Sequence, residues 1–194
     1  MKMMRGLGAL ALALLGLTPV ARADILITFV NEANNNDGTF TYNYNLTVGA
    51  RQTVNPGNFV TLYDVTGLLP TSIADPTGFT HTTQPLGITP SHPVPLPVPD
   101  DPSVLNITFT RQSSALTGPA GPLAFSFKST QGVTSPAEFF AGQAVLTAIP
   151  FPAENLGFTT GPAAIPEPSV TAMAGMIGLL GVGYGKMRRG RKTA

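Results

Sequence analysis

Cysteine and tryptophan are absent from the 194 residues, and histidine occurs only twice, as His81 and His92. Without cysteine there is no disulfide, no thiolate nucleophile and no thiolate zinc site, so any fold must stand on packing alone. Charge is scarce as well, at 11% of the chain, and the formal net charge of +1 is unevenly built. Eight of the eleven bases (Lys2, Arg5, Arg22, Lys186, Arg188, Arg189, Arg191 and Lys192) lie before residue 24 or after residue 185. From Asp24 to Ala164 only Arg51, Arg111 and Lys128 stand against nine acids, a net charge of −6. An acidic domain with three scattered bases offers no electropositive stripe to a phosphate backbone, which excludes a nucleic-acid partner. Helical periodicity is missing from the same stretch, and no repeat of 20–50 residues signals a solenoid or propeller. About 140 residues suffice for one domain with a real core.

What is present is most specific at the two ends. Lys2 and Arg5 form a positive n-region, Gly6 to Leu17 an apolar run of 12 residues, and Ala21-Arg22-Ala23 an Ala-x-Ala site. This is the pattern of a secretory signal peptide over 1–23, cut between Ala23 and Asp24, and it names the Sec translocon and signal peptidase as partners. At the other end Pro166 and Pro168 bar a helix from running through them, so Ser169 can cap a helix that begins at Val170. Val170 to Gly185 is 16 residues, roughly 24 Å of helix against a hydrocarbon core of about 30 Å. That is short for a permanent anchor, although snorkelling bases and local thinning allow a transient span of the inner membrane. Lys186, Arg188, Arg189, Arg191 and Lys192 fall within the last nine residues, and hold that end in the cytoplasm by the positive-inside rule.

The order Pro166-Glu167-Pro168-Ser169, a short Gly-rich apolar helix and an Arg-rich end resembles the PEP-CTERM sorting signal of Gram-negative bacteria, over residues 165–192. Ile165 stands where that family often has Val, and Gly190 interrupts the basic cluster. The resemblance implies processing near the Pro-Glu-Pro by an exosortase, a multi-spanning membrane protease, in bacteria that make extracellular polysaccharide. It implies delivery to the cell envelope, cell surface or extracellular matrix, and it lends no catalytic residue to the passenger.

The passenger, 24–164, reads as strands. Phe40, Tyr42, Tyr44, Leu46 and Val48 alternate with Thr41, Asn43, Asn45 and Thr47, the period of a half-buried antiparallel strand. Shorter β-rich runs span 25–30, 58–65, 104–111, 123–129, 139–149 and 156–159. Turn signals at Asp37-Gly38, Pro56-Gly57, Gly118-Pro119, Gly121-Pro122 and Gly132 separate them. Six or seven short strands without helices predict an all-β antiparallel sandwich, jelly-roll or Ig-like, or a related barrel. Residues 83–103 carry seven prolines and read as a stiff surface loop crossing between two halves of the sandwich. Residues 157–165, small and flexible in composition, read as a spacer presenting the processing site. The Asn58-Phe59-Val60-Thr61-Leu62-Tyr63-Asp64 stretch followed by Gly67-Leu68 is loosely similar to many PEP-CTERM passengers and implies a β-rich domain.

Candidate chemistry is thin. His81 and His92 flank the Pro-rich stretch with no carboxylate at a familiar metal-ligand spacing, and read as solvated loop histidines. Ser91 and Asp100 lie nearby, but neighbours in a stiff loop rarely form a triad and no Gly-x-Ser-x-Gly elbow is present. Asn31 to Gly38 (NEANNNDG) is oxygen-rich, yet aligning Gly38 with the EF-hand glycine puts Ala33 and Tyr44 at obligatory ligand positions. A hairpin or Asx turn is the simpler reading, with a looser calcium loop as the alternative. Asp100-Asp101 is the only adjacent acid pair; its side chains diverge, unlike paired glycosidase carboxylates. Tyr42 and Tyr44 could stack on sugar rings, but they share a face with Phe40 and Leu46 that suits a core. Thr39-x-Thr41 is too isolated for an ice-binding array. Asn45-Leu46-Thr47 and Asn106-Ile107-Thr108 fit the glycosylation sequon but fall in strand-like runs. The sequence therefore predicts a secreted, non-enzymatic envelope or matrix protein with a structural or adhesive role and neither cofactor nor metal. A carbohydrate-binding module touching extracellular polysaccharide is the alternative, and a polysaccharide hydrolase the less favoured third.

Overall fold

The structure, a computed structural model, describes residues 25–90, 98–148 and 151–164. Eleven strands follow one another in these residues: β1 (Ile25–Asn34), β2 (Phe40–Val48), β3 (Gln52–Val54), β4 (Phe59–Leu62), β5 (Leu68–Ala74), β6 (Phe79–Gln84), β7 (Asn106–Arg111), β8 (Leu116–Thr117), β9 (Ala120–Ser129), β10 (Val133–Leu146) and β11 (Pro152–Ala163). All pairings are antiparallel. One sheet has the order β1-β2-β9-β5; the other runs β6-β7-β4-β10-β3-β8, with β11 along the far side of β10. Ten-residue β9 and fourteen-residue β10 are the spines. β10 holds β11 along one edge, while the other edge pairs with β4 at Phe140–Gly142 and with β3 at Val145 and Leu146.

The period-two residues of β2 explain why the sheets stack. Tyr42, Tyr44, Leu46 and Val48 are all buried, beside Ile25 and Ile27 of β1 and Phe125 and Phe127 of β9. From the larger sheet Val54, Val60, Leu62, Ile107, Phe109 and Phe140 join the same core. Tyr42 stacks on Phe127 at 5.6 Å and Tyr44 on Phe125 at 5.1 Å, and Phe109 meets Phe125 across the sheets at 4.7 Å. Such ring pairs add about 0.5–1.5 kcal/mol each beyond the area they bury, which suits a domain with no disulfide. The arrangement is all-β and sandwich-like, as its alternation predicted.

Several expectations are corrected. The number of strands exceeds seven because β3 and β8, three and two residues long, are too short to show a period, and β5 and β6 carry no apolar alternation. The Pro-rich stretch joins β6 to β7, which are neighbours in one sheet, so it is the long loop of a hairpin rather than a crossover between sheets. Residues 83 and 84 belong to β6. Ahead of the segment 91–97, which lies outside the described residues, the loop crosses the outer face of the larger sheet. The Ile88 carbonyl accepts from Tyr63 Oη at 2.7 Å and Thr61 Oγ1 at 2.9 Å. Residues 157–163 are not a spacer but the second half of β11, paired to β10 as far as Val133↔Ala163. Gly121-Pro122 lies inside β9, where a register shift between Leu46 and Val48 absorbs the irregularity.

Candidate functional site

Pro136 and Ala137 fall where the β10–β11 register slips between Ser135 and Glu138. A proline donates no ladder hydrogen bond, so it is accommodated at such a bulge. Immediately after it Glu138 and then Phe140 turn inward. Opposite them β11 presents Thr159, Gly157 and Gly161. A Cβ on Gly157 would stand 2.4 Å from the Phe140 ring, and one on Gly161 2.6 Å from the Glu138 carboxyl. The bare glycines therefore make the room in which these two side chains lie.

Glu138 is 7% exposed, and its Oε1 has no hydrogen-bond partner among the described residues. Burial pushes its carboxyl up to about 9, with the charge of Asp64 adding to the effect. It is therefore a neutral acid at pH 7. Two core phenols are bonded to main-chain carbonyls: Tyr42 Oη donates to the Gln131 carbonyl at 2.8 Å and Tyr44 Oη to the Thr160 carbonyl at 2.9 Å. Burial raises Tyr42 to about 12 and Tyr44 still further, so neither ionises in the folded protein at ordinary pH. No signal in the sequence singles out Glu138. An acid at one inward position of a strand is invisible until the register is known.

Beside this group runs a cleft of about 510 Å³ between the edge strands β1 and β11. Leu26, Ile27 and Phe29 line one side, Gly157 to Thr160 the other, with Phe140 and Pro136 between. β1 and β11 are not hydrogen-bonded to each other as strands. Asn155 Nδ2 ties β11 to the Ile25 carbonyl at 2.6 Å, and Tyr44 engages the Thr160 carbonyl. Leu26, Val30 and Phe158, at 46%, 53% and 66%, are among the exposed large apolar residues of the domain.

The residues singled out in the sequence are placed as follows. His81 is in β6 rather than in a loop, and its Nδ1 lies 2.6 Å from Asp75 Oδ1. His92 and Ser91 lie outside the described residues, as do Ala21, Ala23 and Asp24, the 170–185 run, the sorting motif Pro166 to Ser169 and the basic end. The Asp100-Asp101 side chains diverge as expected, but Asp100 is not merely solvated. It accepts from Gly87 N at 2.8 Å and Asn106 Nδ2 at 3.0 Å, while Asp101 caps Ser103. Asn106 is fully buried, bonding Gln84, Pro85 and Asp64 as well; this second sequon is a strut between β7 and the loop. Asn34 to Thr39 form the Asx turns expected of a hairpin. Asp37 Oδ1 accepts both Thr39 N and Oγ1, and the Thr39 hydroxyl chiefly holds its carboxyl below the usual range. Tyr42 and Tyr44 are core residues, 0% and 1% exposed, so neither ring is a platform for sugars. Arg111, one of the passenger's three bases, is buried with its guanidinium on the Ser114 and Thr77 carbonyls and 5.2 Å over the Phe79 ring.

Among the described residues no three acids or histidines converge to hold a metal, and no helix is long and apolar enough to cross a membrane. The class defined is a two-sheet antiparallel β domain whose accessible feature is an apolar cleft at a sheet edge. Comparison with known protein families, with curated proteins and with solved structures finds no match to this chain.

Proposed function

We propose that the chain is a secreted envelope or extracellular-matrix protein, delivered by the Sec route, held transiently in the inner membrane by residues 170–185, and processed by an exosortase. Its folded passenger then has a structural or adhesive role. The single observation that carries this reading is the order of the tail: Pro166-Glu167-Pro168-Ser169, the apolar run and the Arg-rich end, behind a chain that opens with a secretory signal. The passenger is consistent with life outside the cytoplasm. It has no cysteine to oxidise, and its stability rests on stacked rings. Its net charge of −6, with Arg111 turned inward, suits a soluble surface component and not a polyanion binder. In the carbohydrate-binding alternative Tyr42 and Tyr44 are not available for stacking, so another surface has to recognise the glycan.

Only Ala164 and Ile165 separate the last residue of β11 from Pro166. An exosortase cutting near that proline therefore works close against the folded domain. Intact-mass spectrometry with terminal peptide mapping, on protein recovered from its own host's envelope and medium, tests the reading. The expected chain starts at Asp24 and has lost everything beyond the Pro-Glu-Pro region. A chain still running to Ala194 in the membrane fraction would reduce the tail to a plain anchor and end the exosortase reading.

A further inference from the structure

The edge strands of a sheet expose unpaired backbone N–H and C=O groups, and proteins ordinarily blunt them with charge, proline or bulges. Three of the edges here follow that rule. β5 contains Pro70 and loses register between Leu69 and Ala74, β1 bulges between Phe29 and Asn31, and β8 is two residues long. β11 confines such devices to its two ends, with Pro152 and Glu154 before and Pro162 after. From Asn155 to Thr159 it has neither a charged residue nor a proline, and its register with β10 is unbroken, the slip falling between Thr159 and Gly161. Its far side from β10 pairs with no strand among the described residues. Among the described residues the further bonds here are the Asn155 side-chain amide to the Ile25 carbonyl and, just past Thr159, the Tyr44 hydroxyl to the Thr160 carbonyl.

The apolar cleft opens along that same stretch, between it and β1, which lies close beside it. An alkyl ligand would fill the cleft but leave the backbone groups of β11 unpaired, whereas an extended peptide satisfies both. Because successive side chains of a strand point to opposite faces, alternate residues of such a peptide enter the cleft over Phe140 and Gly157. The others lie on the outer face against Phe158, which already packs edge-on to Phe139 at 5.2 Å. A lining without charge selects an uncharged peptide. At about 510 Å³ the cleft falls in the usual range of roughly 300–1,000 Å³ for binding pockets.

We infer that β11 is a strand-addition site: its free edge over Asn155–Thr159 pairs with an extended, uncharged segment of another protein, whose alternate apolar side chains enter the β1–β11 cleft. This stands on the edge and the cleft and is independent of how the tail is processed.

The test is fluorescence anisotropy with a fluorescein-labelled, end-blocked nine-residue peptide of alternating valine and threonine, titrated with protein recovered from its host. Saturable binding is expected, weakened at least tenfold by Phe158→Lys and by Leu26→Lys and unchanged by Leu86→Lys, which alters an equally exposed residue of the β6–β7 loop. All three positions are exposed, and matching denaturation midpoints establish that the variants are folded. Absence of binding overturns the inference. So does binding indifferent to Phe158→Lys and Leu26→Lys, or displacement of the peptide by dodecanoate, which would make the cleft an acyl site. Binding that appears only when the chain ends at Ala164 would assign the cleft to the chain's own tail and equally overturn a partner strand.

Discussion

Replacing Glu138 by glutamine should make the protein more stable at neutral pH, although it alters a buried polar side chain. The unfolded carboxyl ionises near its ordinary value of 4.5, while the folded one holds its proton to about 9. Between those two pH values the native state binds one proton more than the unfolded state, so stability falls as pH rises, by about 1.4 kcal/mol per pH unit. At pH 7, two and a half units above the unfolded value, the accumulated loss is about 3 kcal/mol; it approaches about 6 kcal/mol at pH 9 and then levels off. Glutamine has nearly the same shape and no proton to lose, so Glu138→Gln abolishes this slope. Burying an amide with an orphaned polar atom costs about 1–3 kcal/mol at every pH. The variant is therefore expected to be the less stable at pH 4.5, to cross the native protein between about pH 5 and 7, and to be the more stable at pH 8.5. Urea unfolding at four pH values measures this directly. Parallel pH dependence in the two proteins would refute the buried neutral carboxyl.

Spectrophotometric titration should show Tyr42, Tyr44 and Tyr63 resisting ionisation, since burial raises all three, to about 12 for Tyr42; a phenolate signal from three sites near pH 10 with the fold intact would contradict the core placement. Asn106→Ala removes the amide that joins Gln84, Pro85, Asp100 and the Asp64 N–H, and should cost about 2–4 kcal/mol through orphaned partners, read as a lower urea midpoint. Tyr63→Phe loses the 2.7 Å bond to the Ile88 carbonyl. Its expected cost is about 1 kcal/mol, with faster proteolysis in 85–90 as the visible sign. Gly157→Val drives a side chain into the Phe140 ring, 2.4 Å from the new Cβ, and should destabilise by about 1–3 kcal/mol as well as narrow the cleft, which calorimetry and peptide anisotropy read separately.

How far the sequence foretold this depends on the strand. β2 was legible because both its faces have consistent neighbours, rings and aliphatics inside and Asn or Thr outside, and its period-two pattern survives intact. β11 was not, because its inward positions include Gly157, Thr159 and Gly161, left small by the Phe140 and Glu138 side chains that fill their space. The strand's identity thus resides in its partner, and composition alone made it look like a spacer. The Pro-rich loop was recognisable as a loop, but not which strands it joined, since that depends on Asn106 and Asp100 meeting around Gly87. The cleft needed two edges 130 residues apart in sequence, Ile25 and Asn155, to lie side by side. Neither edge carries a residue whose chemistry announces it.

The parallel lie of β1 and β11 bears on how the domain carries load. Ile25 opens β1 beside Asn155, near the start of β11, and the chain leaves β11 at Ala163, at the opposite end. Tension between the two ends of the domain therefore runs along the strands. β1 is pulled lengthwise against β2, and β11 lengthwise against β10, so the ladder bonds of each pair are stretched together in shear. Force drawn sideways from Ala163 acts differently: it peels β11 away from Val133 one pair at a time, like a zipper. A domain tethered through its carboxy-terminal strand would be stiff to drag along its length and yielding to a lateral pull.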